Sequence, residues 1–188
     1  MSSDRQINSL RNRIDAIDDE LLRLLNERAD ASTEIGHVKR EKDPDSQFYR
    51  PDREASILRR LGAENPGPLR NEDLVRVMRE IISACLSLEQ RLRIAYLGPE
   101  GTFTHVATLK HFGGAVEPIA MTSISEIFRE VEAKVCHYGV VPLENSLEGS
   151  VNQTLDCLSG SSLPVCGEIV LAVHHQLLTN CLLYTSPS

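Results

Sequence analysis

No C-x-x-C pair occurs in this sequence. Its five cysteines, Cys85, Cys136, Cys157, Cys166 and Cys181, show no metal-ligand spacing. The odd count fits reduced thiols rather than a disulfide framework. His174 and His175 lie side by side in a strand-like run, where neighbours point to opposite faces and make a poor metal pair. The opening Met-Ser-Ser-Asp-Arg lacks an apolar signal region, and no run of the chain approaches membrane-spanning length. A cytoplasmic protein is expected, with no membrane partner. Cations are also in short supply, with 20 Lys+Arg against 27 Asp+Glu for a net charge of −7, which argues against nucleic acid as the main partner. The deficit is uneven: residues 1–92 hold 16 cations and 18 acids, residues 93–188 only 4 and 9. A small anion would therefore be met in the first half. The 188 residues, 41% of them hydrophobic, are enough for one or two domains with a real core.

What is present begins with one long pattern. Ile7, Leu10, Ile14, Ile17, Leu21 and Leu24, then Ala31, Ile35 and Val38, recur at alternating steps of three and four. That is the seam of a long helix packed on other helices. Between Leu24 and Ala31 the seam position is Arg28, a cation in an apolar stripe. It requires either a snorkelling or paired side chain or an anionic ligand held within a helical bundle.

The first helix is expected from about Asp4 to Glu41, ended by Lys42-Asp43-Pro44-Asp45-Ser46. Pro51 opens a second helix carrying Ile57, Leu58 and Leu61, and Asn65-Pro66-Gly67-Pro68 stops it. Asn71, followed by Glu72 and Asp73, reads as the N-cap of a third, with Leu74, Val77, Ile81, Cys85, Leu88 and Leu92 on one face. One very long and two shorter helices cannot cover all their apolar faces alone, so pairing with a second copy is expected.

At Arg93 the periodicity changes. Arg93–Leu97 reads as a strand, Gly98–Thr102 as a tight loop opening a helix through Lys110, and Val116–Met121 as a second strand. Ser123-x-x-Glu126 is a capping box for a helix with Ile127, Phe128 and Val131. Tyr138–Pro142 is a short buried strand, Leu143–Gly149 a loop leading to a helix through Leu158, and Glu168–Leu178 a last strand-like run. Alternating strands and helices indicate an α/β layer with a largely parallel sheet. The fold class is thus multidomain: an all-helical region over 1–92, then an α/β region over 93–180. The terminal Cys181–Ser188 continues no earlier pattern and reads as a non-native tail.

Helix geometry constrains the cations. Arg28 and Lys39 are separated by about 16 Å of helical rise on one face and can grip one small molecule. Arg11 lies roughly 42 Å from Lys39 on the same rise, so if it shares the site it must come from an antiparallel partner.

Leu10-Arg11-x-x-Ile14-Asp15-x-Ile17-Asp18-x-x-Leu21-Leu22-x-Leu24-Leu25-x-Glu27-Arg28, Glu34-x-Gly36-x-x-Lys39 and Asp52-Arg53-Glu54 together resemble the all-helical chorismate mutases over about residues 5–91. The resemblance implies an intertwined homodimer that rearranges chorismate to prephenate without metal or cofactor. It implies that Arg11 of the partner subunit, Arg28 and Arg53 hold the substrate carboxylates. Lys39 donates to the ether oxygen and Glu54 accepts from the ring hydroxyl. Glu89 falls where the family often has Gln, facing the ether oxygen, and Cys85 replaces a small polar residue of the site. Lys39, Glu54 and Glu89 are the implied catalytic groups. The chemistry suits them, because a pericyclic rearrangement needs a compact conformer and well-placed charge, not a nucleophile. An ether oxygen only accepts, so Glu89 serves only when protonated. The first inter-helix loop is about two residues longer than usual, and Arg50 stands where some members have Asp.

Gly98-Pro99-Glu100-Gly101-Thr102-Phe103-Thr104 and Pro142-x-Glu144-Asn145-Ser146-x-x-Gly149 resemble the two early motifs of prephenate dehydratase. A Gly-rich turn into a helix suits a carboxylate, and Gly101, Thr102, Glu144, Asn145 and Ser146 are the implied prephenate contacts. That family's domain has two α/β lobes resembling periplasmic-type binding folds, and the residues here match the first. A Thr-Arg-Phe motif expected to supply the acid does not occur, and neither does a following regulatory domain. The chain is accordingly expected to be a C-terminally truncated enzyme of phenylalanine biosynthesis, active as a mutase but without dehydratase turnover or feedback inhibition. Two other readings are a mutase whose second region merely binds prephenate, and a non-catalytic helical dimerisation module with a small-anion-binding lobe. The seam explains the latter but leaves Arg28, Lys39, Arg53 and Glu54 without a purpose.

Overall fold

A computed structural model describes residues 2–42, 49–145 and 149–173. The seam pattern produces helix α1, Ser2–Lys42, with Asp4 in its first turn and Lys39, Arg40 and Lys42 in its last, each sign matched to the helix dipole. Its polar face is laced by Arg23, which pairs with Glu20 at 2.7 Å and Glu27 at 2.8 Å. Such exposed pairs add only tenths of a kcal/mol, roughly 0.2–0.5 each, so tertiary packing must hold the helix. In the single chain much of that packing is missing: Ile7, Leu10, Ile14, Ile17, Leu21 and Leu24 are each about half exposed.

Helix α2, Pro51–Glu64, starts at the proline, and α3, Asn71–Glu89, packs against both α1 and α2. Asn71 is the first helical residue rather than the cap. Its Oδ1 accepts from the Asn65 amide at 2.9 Å, which ties the intervening turn instead. Helix α3 stops at Glu89, so Leu92 leaves the expected helical face and is buried in the core of the second region.

That region is built on a three-stranded parallel sheet of order β2-β1-β3, with β1 Arg93–Leu97 in the centre. Helix α4, Phe103–Phe112, leads to β2, Glu117–Met121, and α5, Ile124–Glu132, leads to β3, Tyr138–Val140. Alternation along β1 sends Ile94 and Tyr96 to one face with Ala107, Phe112 and Val140, and Ala95 to the other with Met121, Ile127 and Cys136. Both faces are covered, as a parallel sheet requires.

Three expectations are corrected here. The capping box is half formed: Ser123 accepts from the Glu126 N–H, but the Glu126 carboxylate turns to the N–H and hydroxyl of Thr122 at 2.8 Å. The stretch read as a loop carries a small antiparallel hairpin, β4 Glu144–Asn145 with β5 Gly149–Ser150, before α6, Asn152–Gly160. No strand forms over Glu168–Val173. An apolar run does not make a strand without a neighbour for its backbone groups, and here the Val170 carbonyl accepts from the Lys110 ammonium instead, at 3.1 Å. The remainder of that run, the histidine pair and the terminal tail lie outside the described residues. No helix among those described is long and apolar enough to cross a membrane.

The two regions share a packed seam. A Cβ at Gly113 would come within 2.5 Å of Ser83 Cβ, so α3 lies directly on the end of α4. Around that contact the Gly114 N–H donates to Glu80 at 2.9 Å and the Ala115 N–H to the Ser83 hydroxyl at 3.3 Å. Tyr49, ahead of α2, is buried in the second region's core, its ring 5.6 Å from Phe112 and 5.3 Å edge-on to Tyr138.

Candidate active site

Arg28, Ser32, Gly36 and Lys39 follow one another at steps of four, four and three along α1 and so share a face. The C-terminal end of α3 lies on that face. Ser32 donates to Glu89 Oε1, and a Cβ at Gly36 would meet Glu89 Cγ at 3.0 Å and Oε2 at 3.2 Å. Only a residue without a side chain at 36 lets the carboxyl settle there. Arg40 fixes the same junction by donating to the Glu89 carbonyl at 3.1 Å, a cation at a helix C-terminus. The Glu89 carboxyl therefore sits on α1 between the turns of Arg28 and Lys39.

Its second oxygen is unusual. Glu89 Oε2 is buried and meets no hydrogen-bond partner among the described residues. A buried carboxylate oxygen without a donor is costly, whereas a carboxylic acid there has a proton to give. Cys85, one turn earlier on the same helical face, is buried and reduced.

Glu54 lies in the first turn of α2. Its Oε1 is 3.4 Å from the Arg79 Nε, and its side chain is only 11% exposed. Burial pushes its carboxyl above the usual range, while the Arg79 guanidinium, which donates to it, and to a lesser degree the Tyr49 hydroxyl pull the other way.

The structure thus lines Arg28 and Lys39 along the face of α1 that receives Glu89, with Cys85 one turn before Glu89 on α3, and sets Glu54 of α2 against Arg79 of that same helix. Arg53, beside Glu54, is exposed. Arg11 is exposed too, and 17 residues from Arg28, about 26 Å of rise, so within one chain it does not join them. None of the guanidinium groups of Arg11, Arg28 and Arg53 meets a hydrogen-bond or ion-pair partner among the described residues. Arg50 pairs with Asp52 at 3.3 Å on the surface.

In the second region, the loops after β1 and β3 emerge at the same edge of two adjacent parallel strands, the carboxyl edge where such sheets bind ligands. Gly101 and Thr102 belong to the first loop, Glu144 and Asn145 to the hairpin after β3, and all but Thr102 are exposed. Thr102 is half-buried and structurally occupied. Its hydroxyl caps α4 by accepting from the His105 N–H and bonds the Leu97 and Pro99 carbonyls at 3.0 and 2.9 Å. Ser146 lies outside the described residues.

Reading the sequence missed Ser32, Tyr49 and Arg79. Ser32 could have been found, because it stands four residues from Arg28 on the same face. Tyr49 sat in a stretch read as a connection, and Arg79 lay off the apolar stripe of α3.

The family model described as chorismate mutase type II matches residues 10–90, and that described as prephenate dehydratase matches 94–183. Proteins named bifunctional chorismate mutase/prephenate dehydratase from Pseudomonas aeruginosa and Stutzerimonas stutzeri are 49% and 50% identical to 95% of the chain. The chain spans about half the length of these curated relatives, 50% of each. A solved chorismate mutase from Thermus thermophilus is 41% identical, covering 46% of this chain and 96% of its own, with a TM-score of 0.43.

Proposed function

The chain belongs to the chorismate mutase/prephenate dehydratase family of two-region proteins, and from that premise we propose that its helical region converts chorismate to prephenate. The observation that carries this reading is the Glu89 carboxyl lodged on α1 between the turns of Arg28 and Lys39, with one oxygen buried and without a partner among the described residues. A helical spacer has no use for that arrangement, whose polar cost is offset when a ligand acceptor meets the acid.

In this mechanism no residue attacks the substrate. Arg28, Arg53 and Arg11 of the partner subunit form forked ion pairs with the two carboxylates, holding the compact conformer in which the new carbon–carbon bond forms. Lys39 and protonated Glu89 donate to the ether oxygen as its bond to the ring breaks and negative charge gathers there. Glu54, as a carboxylate, accepts from the ring hydroxyl. Arg11 reaches the site only from an antiparallel second copy, so the working unit is a homodimer. That pairing also covers the half-exposed seam of α1.

For the second region the proposal is a binding site for prephenate, the mutase product, at the carboxyl edge of β1 and β3. Gly101, Thr102, Glu144, Asn145 and Ser146 would form its near side. Loss of chorismate absorbance with the purified chain, with prephenate accumulating, is the expected result. A phenylpyruvate assay on the same samples reads the second step. No chorismate consumed between pH 5.5 and 7.5 would refute the mutase reading and favour a non-catalytic dimer module.

A further inference from the structure

Two residues that act on Glu54 have their other ends built into the second region. Tyr49 has its ring in the core of the α/β region, against Phe112 and Tyr138, and its hydroxyl favours the charged form of the Glu54 carboxyl. Arg79 divides its guanidinium between the two regions. Nε is 3.4 Å from Glu54, and one terminal nitrogen donates to the Lys110 carbonyl at 3.2 Å, in the last turn of α4. We propose that Tyr49 and Arg79 are positioning residues through which the α/β region fixes Glu54 for the mutase reaction.

This rests on the mutase reading, in which Glu54 must be ionised to accept from the substrate's ring hydroxyl. A carboxyl with 11% of its side chain exposed is driven towards its neutral form by burial. The groups facing it are Arg79 from α3 and Tyr49 from the segment before α2, and both favour the charged form. Tyr138 and Cys166 stand behind Tyr49, and His111 beside Arg79. The α/β region thus supplies the scaffold that keeps a mutase group in its working state.

The test is the pH profile of chorismate turnover by the full chain and its Tyr49→Phe, Arg79→Gln and Arg79→Lys variants. Tyr49→Phe keeps the ring in the core and removes only the hydroxyl. Losing a hydrogen bond to a charged group moves a carboxyl's ionisation by about one on the pH scale, or about tenfold in rate on the acid side. Arg79→Gln should move the acid limb upward by that amount and Tyr49→Phe in the same direction by less, with the loss shrinking as pH rises. Arg79→Lys should restore much of it. A loss equal at every pH, or no loss, in variants of an active wild type would overturn the coupling alone. A wild type that consumes no chorismate would overturn both the mutase reading and the coupling.

Discussion

Replacing Gly36 by alanine separates stability from catalysis. The added methyl would lie 3.0 Å from Glu89 Cγ and 3.2 Å from Oε2. Carbon atoms in contact prefer about 3.5–4.0 Å, so the Glu89 side chain must give way by roughly 0.5 Å or more. It cannot do so in place, because Ser32 holds Oε1 and Arg40 holds the backbone carbonyl. The side chain must pivot off α1 and break the Ser32 bond. Alanine in a helix interior gains about 1 kcal/mol over glycine, while the lost bond costs about 1.5–3 kcal/mol if charged and nearer 1 if neutral. The variant should therefore unfold within about 2 kcal/mol of wild type. Its chorismate turnover should fall by roughly 100-fold, the effect of about 1 Å of misplacement or of one lost donor. Urea unfolding and steady-state kinetics on the same preparation read the two quantities. Turnover within a few-fold of wild type would refute the role given to Glu89, as would a parallel collapse of stability and activity.

The remaining expectations concern the same helices. Glu89→Ala removes a donor to the ether oxygen and should lower chorismate kcat/KM by roughly 100-fold, whereas Glu89→Gln keeps a donor there and should retain activity. Unchanged turnover in Glu89→Ala would contradict the assignment. Arg28→Leu should abolish turnover, roughly 1,000-fold or more for an Arg lost from a carboxylate clamp, while melting at or above the wild-type temperature, since a half-buried unpaired cation is removed. Retained activity in a calorimetrically intact variant would point to the non-catalytic module. Ile14→Asp places a charge in the α1 seam and should convert a dimer to monomer in sedimentation velocity, with mutase activity lost because Arg11 of the partner subunit is gone. A monomeric wild type would remove the basis of the shared site.

The helices and the parallel strands were legible because each is written in local chemistry: the three-four seam of α1, Pro51 at a helix start, the short apolar run after Arg93. The hairpin at Glu144–Ser150 was not legible, since two-residue strands leave no periodicity to read. The run from Glu168 misled for the opposite reason: over its described part, to Val173, it is strand-like in composition but has no strand among the described residues to pair with. At the site, Arg28 and Lys39 stood out as cations on an apolar face. The fit of Glu89 against Gly36 depends on the crossing of α1 and α3, set by packing between residues 53 positions apart. Glycine at 36 was visible as a motif letter, but its purpose was a distance.

Helix α3 shows why the two regions cannot be treated as independent units on a string. Its C-terminal end brings Glu89 to α1, while one flank carries Arg79 to Glu54 on α2. The flank facing the sheet carries Glu80 and Ser83 to the backbone at Gly114 and Ala115. A rotation of α3 by one residue, about 100°, would lose all these contacts at once. The contact at Gly113 closes off that freedom, because Ser83 already lies where any side chain at 113 would be. The α/β region, through the connection from α4 to β2, therefore fixes the rotation of the helix that presents Glu89 and helps set the geometry of the proposed chorismate site.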